Sequence, residues 1–192
     1  MRLISNISAF ASIIAFIFPF LNQEETKISN FQYITLFIFV ITTLITFFLE
    51  YKNRPKTYKN ETEIGNYMKN WVSKTGRTVI FTRDMSWANT KNIKDELIKK
   101  STANELIMCM PKKTGLANEL EILGAEIIEY SNLNYTPSSR FTLVHYGRSD
   151  AKLAIGRTDN EGNHIITEFE NGLHTQFHLA EDLVNILKEI SK

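Results

Sequence analysis

The chain has 192 residues, with 22 lysines and arginines against 21 aspartates and glutamates, and a single cysteine. A formal net charge of +1 offers no electrostatic footprint for direct DNA binding. One cysteine excludes an internal disulfide, which suits a domain kept in the reducing cytosol.

Two apolar runs open the chain, residues 3–21 and 31–49, separated by the polar segment 22–30. Neither run contains a full charge. A helix of about 19 residues spans roughly 28 Å, close to the ~30 Å hydrocarbon core. The pattern predicts a two-helix transmembrane hairpin over residues 1–50, in contact with membrane lipid. Arg2 and the amino terminus stand before it, and Lys52, Arg54, Lys56 and Lys59 follow it. The loop carries Glu24 and Glu25 against Lys27, so the basic flanks place both termini in the cytoplasm. A cleaved signal peptide fits poorly, because the first run lacks a small-residue cleavage site and a second span follows at once.

Each span carries one weakly polar stripe. Ser5, Ser8, Ser12, Ala15 and Pro19 fall within about 80° of a helical wheel. Gln32, Thr35, Thr42 and Thr46 share a face of similar width in the second span. Small and hydroxylated residues let helices approach and bond across a contact, and this packing reading is preferred. The alternative is a polar path lined by the stripes of several hairpins. Either way the protein is expected to associate with copies of itself. With no acid or base inside the spans, a proton relay is not expected.

Residues 51–66 read as a polar linker, and residues 67–192 as a cytosolic domain. A helix carries Ile64, Tyr67, Met68, Trp71 and Val72 at the spacing of one face. Residues 78–82 form a strand by β-branched content, and 89–100 a helix with Ile93, Leu97 and Ile98 inward. A strand at 105–110 contains Cys109, read as a small buried hydrophobe. Thr114 caps a helix carrying Leu116, Leu120 and Leu123, which stops at Gly124. Residues 125–130 are a third strand. Helices between these strands imply parallel pairing through right-handed crossovers.

The pattern then changes. Strands at 140–146, 151–157 and 164–170 are separated only by turns, which implies antiparallel hairpins. A last helix runs from about 177 to 190, with Leu179, Leu183, Ile186, Leu187 and Ile190 expected inside. The order β-α-β-α-β-β-β-β-α predicts an α/β sandwich around a mixed sheet.

In such sheets ligands sit beyond the carboxyl ends of the parallel strands. The segments after the first three strands bring Arg83, Ser86 and Trp87, then Lys112, Lys113 and Thr114, then Tyr135 and Arg140. Cations, hydroxyls, stacking faces and a helix N-terminus suit a nucleotide or another phosphorylated signal. The bland alternative makes Arg83–Asp84 a local ion pair, Trp87 a core plug, and Lys112 and Lys113 a solvated loop. Arg148, Asp150, Lys152 and Arg157 read as solvated edge charges. His145, His164, His174 and His178 are scattered, and no cysteine pair or HExxH motif accompanies them, so no metal and no cofactor are expected. No Walker loop, GxGxxG or nucleophile motif is present.

The order of elements, with Gly124-Ala-Glu-Ile-Ile-Glu-Tyr130, Arg140-Phe-Thr-Leu-Val-His-Tyr-Gly and Lys152-Leu-Ala-Ile-Gly156, resembles one half of a phospholipase D-like domain over about residues 77–190. That family's chemistry requires a histidine followed two residues later by a lysine. Arg140 and Thr142 stand about where those would be, and His145 and His164 are followed by no such lysine. The resemblance therefore implies a cleft without the family's activity, and no enzyme is expected. A membrane-bound phosphodiesterase is the alternative, and a non-catalytic membrane adaptor a third. The whole architecture resembles the two-transmembrane membrane effectors of bacterial antiphage systems, of the retron or cyclic-oligonucleotide type. That resemblance implies a toxin of the bacterial inner membrane. A protein or nucleotide signal from a neighbouring gene would trigger it through the cytosolic domain to permeabilise or depolarise the membrane, an abortive infection.

Overall fold

A computed structural model of the chain describes residues 30–52, 54–88, 90–133, 137 and 140–191. They divide into two compact units, Met1–Asn53 and Arg54–Lys192.

In the first unit the described element is helix α1, Asn30–Lys52, 23 residues long. Apolar side chains stand exposed over one broad face of it, among them Phe37, Val40, Leu44, Phe47 and Phe48, and Thr42, Thr43 and Thr46 lie opposite. The hydroxyls of Thr42, Thr43 and Thr46 turn back to donate to the carbonyls of Ile38, Phe39 and Thr42 at 2.8, 2.9 and 2.8 Å. Among the described residues no helix is long and apolar enough to cross a membrane. The first apolar run, with Ser5, Ser8 and Ser12, and the side chain of Thr35 lie outside the described residues.

The second unit is α/β, built on a seven-stranded mixed sheet. In chain order the elements are β1 (Lys56–Tyr58), α2 (Glu61–Val72), β2 (Thr78–Phe81), a 3-10 turn (Ser86–Ala88), α3 (Lys91–Thr102), β3 (Leu106–Met110), α4 (Gly115–Ile122), β4 (Glu126–Glu129), β5 (Arg140–Val144), β6 (Lys152–Thr158), β7 (His164–Glu170) and α5 (Thr175–Ile190). The spatial order is β1-β7-β6-β5-β2-β3-β4. β2, β3 and β4 pair in parallel, and every other pair is antiparallel. Parallel strands joined by helices and antiparallel strands joined by turns are the two halves expected from the sequence.

Two features differ from that expectation. The stretch 51–66, read as linker, contains β1 and the first turn of α2. β1 adds to the sheet edge by pairing Lys56, Thr57 and Tyr58 with Ile166, Ile165 and His164. The last helix is rotated from its expected face. Phe177, Ala180, Val184 and Leu187 are its buried residues, whereas Leu179, Ile186 and Ile190 are 64%, 55% and 55% exposed.

Side-chain alternation assigns the two faces of the sheet. On one face Val79, Phe81, Ile107, Cys109, Phe141, Leu143 and Leu153 pack against α5. On the other, Ile80, Leu106, Met108 and Met110 meet Val72 of α2, Ile93 and Leu97 of α3, and Leu120 of α4. Burying a side chain such as Val184 or Leu97 contributes about 1.5–3 kcal/mol. Val184→Asp in the full chain is therefore expected to abolish cooperative thermal unfolding, because it sets a carboxylate against α5's core. Ile186→Asp, two positions on, should shift the melting temperature only slightly. Equal melting curves for the two variants in detergent would contradict the observed face.

Thr114 caps α4, its hydroxyl accepting from Ala117 N–H at 3.2 Å. Lys100, buried at the end of α3, pairs with Glu105 at 2.9 Å and donates to the Gly76 carbonyl. That contact ties α3 to the chain entering β2.

Candidate functional site

A cavity of about 390 Å³ opens at the carboxyl end of β2, on the α2 side of the sheet. Its floor is laid by alternate positions of four strands: Arg140 and Thr142 of β5, Ala154 and Gly156 of β6, His164 and Ile166 of β7, and Tyr58 of β1. The register sets Arg140 opposite Gly156, Gly156 opposite Ile166, and Tyr58 opposite His164. Ala154 and Gly156 are what leave the floor low. A methyl on Gly156 would sit 3.9 Å from the His164 ring, so the hollow narrows readily from this point. The first turns of α2, with Asn60, Glu61, Ile64 and Tyr67, form one wall. The loop after β2, with Thr82, Asp84, Ser86 and Trp87, forms the other.

Local chemistry fixes both walls. Asn60 caps α2, its side chain accepting from Glu63 N–H at 2.9 Å, while Glu63 accepts from Lys59 N–H at 3.0 Å. The pair resembles a capping box, with Glu63 reaching one residue further back, to the N–H before the cap. In the loop, Asp84 Oδ1 accepts from Ser86 N–H at 3.1 Å and from its hydroxyl at 2.9 Å, and the Thr82 hydroxyl donates to the Asp84 carbonyl. The local Arg83–Asp84 ion pair considered from sequence is replaced by this turn. Burial pushes the Asp84 carboxyl up, but the two bonds from Ser86 and the charges of Arg140 and Arg83 outweigh it and hold the group below its ordinary value.

Arg140 is half-buried and its guanidinium has no hydrogen bond or ion pair among the described residues. His164 is half-buried beside it. Burial first, and then the Arg140 charge, lower its proton affinity. The folded protein therefore resists protonating His164, while the unfolded chain binds that proton near the ordinary histidine value of about 6.5. This part of the stability is present above about pH 6.5 and is lost as pH falls through that value towards the lower folded one. The His164→Gln full chain should lose less melting temperature than the parent between about pH 7 and pH 5. Parallel pH profiles would contradict the assignment.

Of the residues singled out from sequence, Ser86, Trp87 and Arg140 come together in this cavity. The others do not. Arg83 and Lys112 are exposed and line no part of it. Lys113 pairs with Glu121 at 2.8 Å, and its N–H bonds Glu129 at 3.2 Å. Thr114 is spent on its cap, and its hydroxyl reaches Met85 Sδ at 3.4 Å. Tyr135 lies outside the described residues. Trp87 is half-buried, packing against the core on one side while lining the cavity on the other. The site lies over the antiparallel half of the sheet, not over β3 and β4.

Tyr58, Asp84 and His164 were not singled out as ligand residues. The signal for Tyr58 and His164 lies in the pairing of β1 with β7, which brings them together, and that for Asp84 in its place on the loop with Ser86 and Trp87. A more open groove of about 610 Å³ lies on the far side of Tyr58 and Tyr67. Its charges answer one another: Lys56 pairs with Glu168 at 2.6 Å, Tyr67 donates to Glu168 at 3.3 Å, and Lys74 Nζ lies 3.5 Å from the Trp71 ring centre. Burial and then Glu168 raise the Tyr67 phenol above its usual range. Among the described residues no cluster of histidine, cysteine, aspartate or glutamate is arranged to hold a metal ion.

No family model matches the chain, and no curated protein or solved structure matches it.

Proposed function

We propose that this chain is a membrane-anchored toxic effector of an antiphage system. In this reading its α/β unit binds a small signal and its apolar hairpin acts on the inner membrane. One observation carries the reading. In the sequence the cavity wall Tyr58–Glu61 follows the end of α1 at Lys52 by only a few residues, β1 among them. A ligand that contacts Tyr58 or the first turn of α2 bears directly on the strand leaving the hairpin. That strand is held by three paired residues at a sheet edge, so its position can be biased by a modest differential affinity.

α1 supports the membrane half. A broad exposed apolar face requires an apolar surround, and the threonine hydroxyls already satisfied within the helix suit a medium without water. The charge-free run in the sequence, residues 31–49, reaches about 28 Å as a helix. The exposed Leu179, Ile186 and Ile190 of α5 favour a second reading, an adaptor that recruits a partner on that face.

Expression of the full chain in bacteria with a potential-sensitive dye tests the proposal. Depolarisation and growth arrest on induction or on phage infection are expected. Normal potential and growth under both conditions would leave the adaptor.

A further inference from the structure

We infer that the cavity takes a purine nucleoside monophosphate, with its single phosphate on Arg140 and its ring against Trp87. The inference rests on reading this cavity as the control site, and names what occupies it.

Arg140 is the starting point. A partly desolvated guanidinium that no described residue pairs is costly, and a planar fork of donors is matched by a phosphate or carboxylate. Asp84 is close enough to feel the Arg140 charge, yet it forms no ion pair with it, and its Oδ1 is already taken by Ser86. His164 is the second donor at the same end of the cavity. The conditions that keep its ring neutral are burial and the bare Arg140 charge. An anion between the two removes the second condition and favours the imidazolium, so binding near neutral pH takes up a proton.

The ring end follows from what Trp87 does not do. Tyr58 tilts against Tyr67, ring centres 5.4 Å apart, and Tyr67 stacks on Trp71 at 5.7 Å. Trp87 stacks on no ring among the described residues and lines the cavity, which leaves it to a planar ligand. Asp84 stands on the same loop, ionised, and its second oxygen accepts from ring N–H groups or an exocyclic amine. A purine supplies those donors.

Charge and size limit the rest. Lys59 and Arg140 line the cavity against Glu61 and Asp84, so its formal charges balance and leave too little positive charge for a polyphosphate. About 390 Å³ lies at the small end of ligand sites and suits one nucleotide unit.

Calorimetric titration of the full chain in detergent tests this, with AMP, GMP, adenosine, guanosine, inorganic phosphate and ATP as probes. Saturable binding of AMP or GMP is expected, at least about tenfold tighter than the matching nucleoside and tighter than ATP. Arg140→Gln should cost the monophosphate at least about tenfold and leave the nucleoside unchanged, and Trp87→Leu should weaken both. Titration in buffers of different ionisation enthalpy should show proton uptake, absent in His164→Gln. Equal affinity for nucleoside and monophosphate, tighter binding of ATP, or an Arg140→Gln variant that binds as the parent does would overturn the inference. So would no binding of either monophosphate by a chain that melts normally. Cells that depolarise although no nucleotide binds would sink this inference and keep the effector. Nucleotide binding by a chain that never depolarises cells would do the reverse.

Discussion

Cells expressing the full chain with Ile41→Arg and Leu44→Arg together are expected to keep their membrane potential and grow like the uninduced control. Both residues are exposed on α1 and sit near the middle of the charge-free run. An arginine at the centre of a spanning helix costs about 2.5–3.5 kcal/mol on insertion scales, so the pair costs roughly 5–7 kcal/mol. A hairpin of marginal polarity, already carrying Thr42, Thr43 and Thr46, has little reserve against that. The α/β unit should be untouched, because neither residue belongs to it. Undiminished depolarisation by the double variant would show that α1 works outside the lipid, and the effector reading would fall with it.

How much of this was legible beforehand depends on whether local pattern or long-range pairing decides. Strands β2 and β3 announce themselves because they are buried on both faces and read as unbroken apolar runs, 78–81 and 106–110. The Thr114 cap and the Gly124 stop are local chemistry and were readable too. β1 was not. Lys56, Thr57 and Tyr58 have no apolar alternation, and they become a strand because β7 offers an edge. The face of α5 misled for a different reason. Leu179, Leu183, Ile186, Leu187 and Ile190 make a stronger apolar stripe than Phe177, Ala180, Val184 and Leu187. The sheet beneath nevertheless takes the second set, where Ala180 is small enough for close approach. The same logic governs the site. The general expectation of a ligand beyond the parallel strands pointed to Lys112, Lys113 and Thr114. Folding instead engages Lys113 with Glu121 and Thr114 with its own helix. The hollow lies one half-sheet away because Ala154 and Gly156 leave room there and α2 walls it. Tyr58, Arg140 and His164 meet only through strand register, which no single segment reveals.

Gly124→Ala is expected to lower the melting temperature of the full chain by about 10 °C, the largest effect of any single methyl considered. Gly124 follows α4 at φ +109°, its N–H bonding Glu121 at 3.0 Å while Ala125 N–H returns to Leu120 at 2.9 Å. These two bonds close the helix in a Schellman motif, which needs a left-handed residue here. Conformation alone costs an alanine about 1–2 kcal/mol. Space costs more, because an added Cβ would lie 2.7 Å from the Ser101 carbonyl and 2.6 Å from Asn104 Oδ1. The Asn104 amide can swing away, but the Ser101 carbonyl belongs to α3, whose last turn also holds the buried Lys100. Moving it disturbs the α3–β2 tie, and the sum is about 3 kcal/mol, roughly 10 °C for a unit of this size. Gly162→Ala separates the two causes. Gly162 has φ +84°, yet nothing lies within 4 Å of its added Cβ. It should lose only the conformational part, about 1–2 kcal/mol. Similar melting shifts for the two variants would mean that α3 yields at Ser101, and that packing between α3 and the end of α4 is looser than the geometry shows.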